Sequence, residues 1–142
     1  MKNCRPQSAK IGIDPDIDKS GYCLVIDKQI KDLTCLTFFQ LLEKIHYYKT
    51  ACANLTVYIE AGHLEKKSNW HAAVGRGIAE KIAKQVGKNH AVGILIEQFC
   101  KIKGIKYELI KPKKKIDSKT FCALTGIKKS NQETRDAAML VI

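Results

Sequence analysis

The sequence predicts an α/β domain built on a mixed five-stranded sheet with helices on both faces. Three apolar segments of strand length follow one another early in the chain, separated only by short turn-like stretches. Two further strand-like segments come later, each after a helical pattern. Strands joined by turns pair antiparallel, and crossover helices bring the later strands back into the same sheet, so the sheet should be mixed.

The first three strands are predicted over residues 10–14, 22–27 and 30–36. The first of them ends on Asp14, a proline follows, and Ser20-Gly21 is predicted to form a second turn before the chain becomes apolar again. We expect one domain spanning residues 1–142, in which the polar residues 1–8 are loose.

A helix over residues 38–49, capped by Thr37, and a fourth strand over 55–61 are predicted next. Residues 62–71 show neither the helical nor the strand periodicity of apolar residues. A polar, basic loop of this length beside the carboxylate of Glu60 is typical of a functional segment.

Two helices are predicted in the middle of the chain, over 72–86 and 90–103, with a break at residues 87–89 and Asn89 as the second cap. The fifth strand is predicted over 106–110. A short helix over 118–124 should follow, capped by Asp117, and a last helix should start at Ser130 and reach the C-terminus.

The charge balance points to a polyanionic partner. The chain has 25 Lys and Arg against 14 Asp and Glu, a net charge of +11. Nucleic acid is the first candidate and an anionic membrane surface the second. No 18-residue apolar run and no secretory hydrophobic region is present, so we expect a cytoplasmic protein without a membrane span. The six cysteines lack Cys-x-x-Cys spacing, which argues against a zinc site and favours reduced thiols over a disulfide framework.

Four acids stand out in this basic chain. Asp14 and Glu60 end predicted strands, and Glu133 and Asp136 are three residues apart, on one face of the last helix. If the strands are adjacent and the helix packs over the sheet end, four carboxylates converge. Each close pair would then repel by about 1 kcal/mol in water and about 4 kcal/mol at intermediate dielectric. Divalent metal relieves this repulsion, and two Mg²⁺ ions about 4 Å apart are suited to phosphodiester hydrolysis.

Each acid also has a purely structural alternative. Asp14 fits a turn, Glu60 an exposed strand end and Asp136 a surface acid. Glu133 fits a capping box started by Ser130, in which it would bond back to the cap. Two rival motifs that start at Asp14 fit poorly. The spacing lacks the glycine and glutamate of an EF-hand, and no later acidic pair completes a phosphoaspartate phosphatase.

The ordered set of motifs resembles the RuvC family of Holliday junction resolvases, within the RNase H-like superfamily, in the compact form found in phage and mobile elements. The matching stretches are Ile11-Gly12-Ile13-Asp14-Pro15 with Gly21, Val57-Tyr58-Ile59-Glu60, Val86-Gly87-Lys88-Asn89 through Gly93, and Arg135-Asp136-Ala137-Ala138-Met139-Leu140. The chain departs from the family at Asp16, where glycine is usual, at Glu133, where aspartate is common, and in a short last helix.

The resemblance implies an RNase H-like nuclease domain whose catalytic and metal-binding residues are Asp14, Glu60, Glu133 and Asp136, with Asp14 bridging both ions. It implies Mg²⁺ or Mn²⁺ with two ions per active site, a homodimer, and recognition of four-way or otherwise branched DNA by shape. Paired nicks would leave 5′-phosphate and 3′-hydroxyl ends. The alternatives are another RNase H-like nuclease, acting on RNA or on branched DNA generally, and a junction-binding module without turnover.

Basic and aromatic residues near the same sheet end are candidate DNA contacts. Lysines that follow the fifth strand could hold phosphates, and Trp70 in the polar loop could stack on an opened base. The predicted nucleic-acid-binding residues are Lys111, Lys113, Lys114, Lys115, Lys119, Trp70, Lys66, Lys67 and Arg76.

Overall fold

The computed structural model describes residues 8–64, apart from the side chain of His63, and residues 76–142. It contains a five-stranded sheet in the order β3-β2-β1-β4-β5, which confirms the predicted mixed sheet. The strands are β1 (Ala9–Asp14), β2 (Ser20–Ile26), β3 (Gln29–Leu36), β4 (Leu55–Glu60) and β5 (Lys106–Ile110).

The strand pairing brings three strand ends to one edge of the sheet. β1, β2 and β3 form an antiparallel meander, whereas β4 pairs parallel with both β1 and β5. Ile13 lies opposite Ile59, so the residues that follow them, Asp14 and Glu60, leave the sheet side by side. The carboxyl ends of β1, β4 and β5 therefore meet at the same edge.

In the part of the chain that the structure describes, four helices cover the sheet, and two of the predicted caps are present. The helices are α1 (Phe38–Ala51), α2 (Arg76–Lys103), α3 (Ser118–Thr125) and α4 (Gln132–Ala138), and a 3-10 turn lies at Gly62–Leu64. Thr37 and Asp117 cap α1 and α3 as predicted, each accepting a hydrogen bond from the backbone N–H three residues later.

The predicted break at residues 87–89 is wrong, because α2 runs without interruption for 28 residues. A glycine in a helix costs only about 1 kcal/mol relative to alanine, which the surrounding turns can absorb. Asn89 is not a cap. Its side-chain oxygen instead accepts a hydrogen bond from the backbone N–H of Ile17, at 3.0 Å.

The start of β2 and both ends of the last helix also differ from the prediction. Ser20 and Gly21 belong to β2, paired with Leu36 and Asp14, so the turn lies before them and not at them. The last helix is capped by Asn131 rather than started by Ser130, and it ends at Ala138, short of the C-terminus. Ser and Asn are comparable caps, and here Asn131 has the reciprocal partner, because Thr134 accepts from its backbone N–H at 3.1 Å.

The two faces of the sheet carry separate apolar clusters, so helices lie on both faces as predicted. Side chains of α1 and α2, such as Leu41 and Ile96, pack with Ile11 and Val57 on one face. Phe121 of α3 and the alanines of α4 pack on the other face. Within the described residues, no helix combines the length and hydropathy needed to cross a bilayer.

Candidate metal centre at the sheet edge

Three carboxylates converge where β1 and β4 end. Asp14 and Glu60 are the last residues of these neighbouring parallel strands, and Asp136 comes from α4, which packs across the sheet. One oxygen from each carboxylate lies within 4.8 Å of the other two. All three residues are half-buried, so solvent screens their mutual repulsion only in part.

Two glycines allow α4 to lie close enough to deliver Asp136. A Cβ atom at Gly12 would overlap the carbonyl oxygen of Ala137, and a Cβ at Gly21 would overlap that of Glu133. The backbone of α4 therefore rests directly on the backbones of β1 and β2. A side chain at either position would lift the helix and move Asp136 away from the strand ends.

Glu133 is close to the three carboxylates but is not part of the group. Its side chain is exposed, and the three-carboxylate group contains Asp14, Glu60 and Asp136 alone among the described residues. Its charge nevertheless raises the pKa of Asp14. The capping-box alternative for Glu133 is wrong, because the N3 position that bonds back to the cap is Thr134.

Burial and neighbouring negative charges make ionisation of the Asp14 carboxyl group unfavourable. Desolvation, followed by the charges of Glu60 and Asp136, raises the pKa of Asp14 from 3.8 to about 8, while Lys115 acts in the opposite direction. A cation in the middle of the group would reverse this effect. Three carboxylate oxygens are hard ligands of the kind that Mg²⁺ and Mn²⁺ prefer, so the donor set fits such an ion.

Both oxygens of Asp136 have partners in the protein. The side-chain amide of Gln132 donates a hydrogen bond to Oδ1 at 2.7 Å, and the Lys115 Nζ lies 3.7 Å from Oδ2. Sequence reasoning missed Gln132. The i, i+4 spacing of Gln and Asp on one helix was the signal that could have found it.

A cavity of about 320 Å³ opens beside the carboxylates, and α2 forms one of its walls. Its lining includes Asn89 and His90, which were not among the predicted site residues. The His90 ring lies against Gly62, where a Cβ would be only 2.9 Å from Nε2. The residues that line the cavity are Asp14, Pro15, Glu60, Gly62, Val86, Asn89, His90, Gly93 and Lys115.

Asp16 forms its hydrogen bonds within the β1–β2 loop. Asp16 accepts a hydrogen bond from the backbone N–H of Asp18 at 2.8 Å, and the Ser20 hydroxyl bonds to the Asp16 backbone. Neither acid belongs to the three-carboxylate group. The additional charge at Asp16, where the RuvC family usually has glycine, is therefore accommodated as part of a turn.

Five of the predicted DNA-contacting lysines follow β5, and three of these lie near the carboxylates. Lys113 and Lys114 border a small cavity that also contains Glu60 and Asp136, and Lys115 pairs with Asp136. Lys113 also donates to the Met139 carbonyl at 3.3 Å. Lys111 and Lys119, which are close to these lysines in sequence, are also exposed.

Of the remaining predicted DNA contacts, only Arg76 falls within the described residues. Arg76, at the first residue of α2, is exposed and forms an ion pair with Glu80 at 3.5 Å. Lys66, Lys67 and Trp70 lie outside the described residues.

The sheet order and the flanking helices define an α/β protein of RNase H-like fold, with a candidate metal centre at the edge of the sheet. Its structure resembles that of RuvC from Thermus thermophilus in complex with a Holliday junction substrate, with a TM-score of 0.60 and 14% sequence identity over 94% of this chain and 90% of that chain. A second Thermus thermophilus RuvC structure gives a TM-score of 0.52 and 11% identity over 93% and 90%. The sequence matches no protein-family model and no curated protein. The likeness establishes a RuvC-like fold.

Proposed function

We propose that this protein is a metal-dependent, structure-selective DNA endonuclease that resolves Holliday junctions by paired phosphodiester hydrolysis. The observation that carries the proposal is the group of three carboxylates within 4.8 Å at the edge of a RuvC-like sheet, in a chain of net charge +11. The RuvC structure with which this fold aligns was determined with a Holliday junction substrate.

The acids and the lysines have complementary tasks in such a reaction. Asp14, Glu60 and Asp136 would hold the Mg²⁺ or Mn²⁺ ions, which supply Lewis acidity and charge stabilisation at the scissile phosphate. Glu133, on the exposed side of the group, is the fourth candidate for this task. Because four acids would repel a phosphodiester, a basic surface beside them is needed to bring DNA to the site.

Among the basic residues that the structure describes, Lys115 is the best placed. Its Nζ is 3.7 Å from Asp136 and it lines the cavity that contains Asp14 and Glu60. From this position its charge can offset that of a phosphate oxygen next to the carboxylates. Lys111, Lys113, Lys114 and Lys119 would extend the contact along the DNA backbone, together with Arg76, Lys66, Lys67 and Trp70.

A homodimer is part of the proposal. Two symmetric cuts in a four-way junction require two active sites related by a two-fold axis, and a closed dimer of identical chains supplies that symmetry. The dimer would recognise the branched shape of the DNA, and the paired nicks would be made by its two separate metal centres.

Nicking of a labelled four-way junction, beside a linear duplex of matched sequence, tests the proposal directly. We expect symmetric cuts confined to the junction with Mg²⁺ or Mn²⁺ and none with EDTA. Asp14→Asn should abolish cutting while junction binding is retained, whereas Asp18→Asn, in the loop that follows β1 and outside the carboxylate group, should cut normally.

Other results would identify the alternatives. Metal-dependent cutting of RNA or of flaps and forks, without preference for four-way junctions, would indicate a different RNase H-like nuclease. Tight junction binding with no cutting in either metal would contradict the enzyme hypothesis and leave a junction-binding module.

A further inference from the structure

The carboxylate of Asp136 is held by a short, directed hydrogen bond from within its own helix. The Nε2 of Gln132 lies 2.7 Å from Oδ1 of Asp136, a distance typical of hydrogen bonds in which one partner is charged. Gln132 is the first residue of α4, and Asp136 lies one turn later on the same face. The bond therefore restricts the rotamers of Asp136 before any ligand reaches it.

Arg135 determines which way the Gln132 amide faces. Its Nη2 lies 3.2 Å from Oε1 of Gln132, and a guanidinium group can only donate hydrogen bonds. The amide oxygen must therefore face Arg135, which leaves the amide NH₂ to face Asp136. Since a carboxylate only accepts, each hydrogen bond in the series Arg135 to Gln132 to Asp136 has one possible direction.

Arg135 is itself fixed by the backbone on two sides. Its Nε donates to the Ile116 carbonyl at 3.1 Å, and its Nη1 donates to the carbonyl and the hydroxyl of Ser130 at 3.2 and 3.0 Å. Ile116 directly follows Lys115, whose Nζ faces the other oxygen of Asp136. One guanidinium thus anchors both the amide and the backbone segment that meet the Asp136 carboxylate.

We propose that Gln132, oriented by Arg135, is a positioning residue that presents the Asp136 carboxylate to the metal centre. The proposal rests on the proposed metal-dependent function. A carboxylate already held beside Asp14 and Glu60 loses less conformational freedom when it binds an ion. Outer partners of metal ligands typically contribute 10- to 100-fold in metal affinity. A simple helix-stabilising pair would affect stability but not this affinity.

Mn²⁺ binding to the full-length protein without DNA, measured by titration calorimetry, tests the proposal. Gln132→Met keeps the length of the side chain but removes the donor, and we expect it to raise the Mn²⁺ Kd about 10- to 100-fold. The unfolding midpoint in EDTA should stay close to that of the wild-type protein. Gln98→Met, the same change at an exposed position of α2, should alter neither quantity.

A second readout separates positioning from chemistry. In junction nicking, Gln132→Met should shift the half-saturating Mn²⁺ concentration by the same factor as the Kd, while kcat at saturating Mn²⁺ should remain within about threefold of wild type, because Asp136 itself is still present. If Gln132→Met does not give folded protein, Gln132→Ala provides the same test.

The possible failures can be told apart. An unchanged Mn²⁺ Kd in Gln132→Met, with the wild-type protein binding normally, overturns the role of Gln132 alone. A loss of affinity that only follows a loss of thermal stability also overturns it, in favour of a structural role. A wild-type protein that binds no Mn²⁺ overturns the metal centre, and with it the proposed function. A wild-type protein that binds Mn²⁺ but cuts no DNA overturns the function while the Kd shift still supports Gln132.

Discussion

Gly12 on β1 lies so close to Ala137 on α4 that no side chain fits between them. A Cβ at Gly12 would overlap the Ala137 carbonyl oxygen, which is backbone and cannot rotate away. Because Ala137 directly follows Asp136, the helix position that this glycine allows is also the position that brings Asp136 to Asp14 and Glu60.

Gly12→Ala should therefore impair both folding stability and metal binding. We expect a loss of about 1–3 kcal/mol in the free energy of unfolding, as for an overpacked core, and a weakened Mn²⁺ affinity. Gly87→Ala is the matched control, because a Cβ there meets nothing within 4 Å. In the interior of α2 it should stabilise the protein by about 0.5–1 kcal/mol. Urea unfolding and Mn²⁺ titration of the two variants provide the comparison, and equal effects would contradict the packing argument.

Asp14 and Glu60 could be predicted from the sequence as neighbours for a physical reason. Apolar runs that end in Asp14 and Glu60 mark the points where two chain segments leave a sheet, and parallel neighbours leave it at the same edge. Asp136 could be predicted because its spacing from Glu133 places both acids on one face of the last helix. These inferences use only local periodicity and the rules of strand connection, which is why the five-stranded sheet was also predictable.

The remaining features depend on choices between nearly equal local options. Ser130 and Asn131 are both competent caps, and each has a residue three positions later that could bond back to it; in the structure the reciprocal pair is Asn131 and Thr134. Gly87 resembles a helix break in sequence, but the helical turns on either side of it outweigh its small intrinsic cost. The hydrogen bond from Gln132 to Asp136 depends on how Arg135 orients the Gln132 amide. Arg135 is in turn held by the backbone carbonyl of Ile116, which is distant in sequence.

The raised pKa of Asp14 predicts that this acid destabilises the metal-free protein. Its pKa is 3.8 when exposed and about 8 in the folded state, so between these values the folded state binds a proton that the unfolded state has released. Stability must then fall as the pH rises through this window, and it is lowest above it. Below pH 3.8 both states are protonated and this acid has no effect.

Asp14→Asn should remove this penalty. In EDTA we expect the variant to unfold about 5–10 °C above the wild-type protein at pH 8, with the difference shrinking steadily toward pH 4. Added Mg²⁺ should raise the wild-type midpoint, because ligand binding stabilises the folded state, and should raise that of the variant much less. Thermal melts across this pH range test the prediction. A difference in EDTA that does not vary with pH would contradict it.

Glu133 should contribute less to metal binding than the three grouped carboxylates. It is exposed and lies outside the group, although its charge is felt at Asp14. We expect Glu60→Gln to raise the Mn²⁺ Kd by at least about 100-fold and Glu133→Gln by less than about 10-fold, in the range of an outer partner. Glu43→Gln, on an exposed face of α1, is the control in the same titration. Equal losses for Glu60 and Glu133 would show that Glu133 is a full ligand.

Lys115 should matter for cleavage far more than for stability. Its side chain is 69% exposed, and an ion pair that open to solvent contributes little to folding, so Lys115→Met should melt close to the wild-type temperature. It should nevertheless slow junction cleavage about 10- to 100-fold, because it removes the cation beside the carboxylates where the scissile phosphate would bind. The slope of log junction affinity against log salt concentration should also fall by about one unit.

Lys103→Met is the matched control for this substitution. Lys103 is exposed at the end of α2 and precedes the start of β5, so it lies at the opposite edge of the sheet from the carboxylates. Both variants lose one positive charge, and any effect of net charge on DNA encounter should be similar in the two. Only Lys115→Met should lower the rate of cleavage at saturating junction concentration. If both variants cut at the same rate, Lys115 does not act at the scissile phosphate. Its charge then contributes only to the general attraction of DNA to a basic protein.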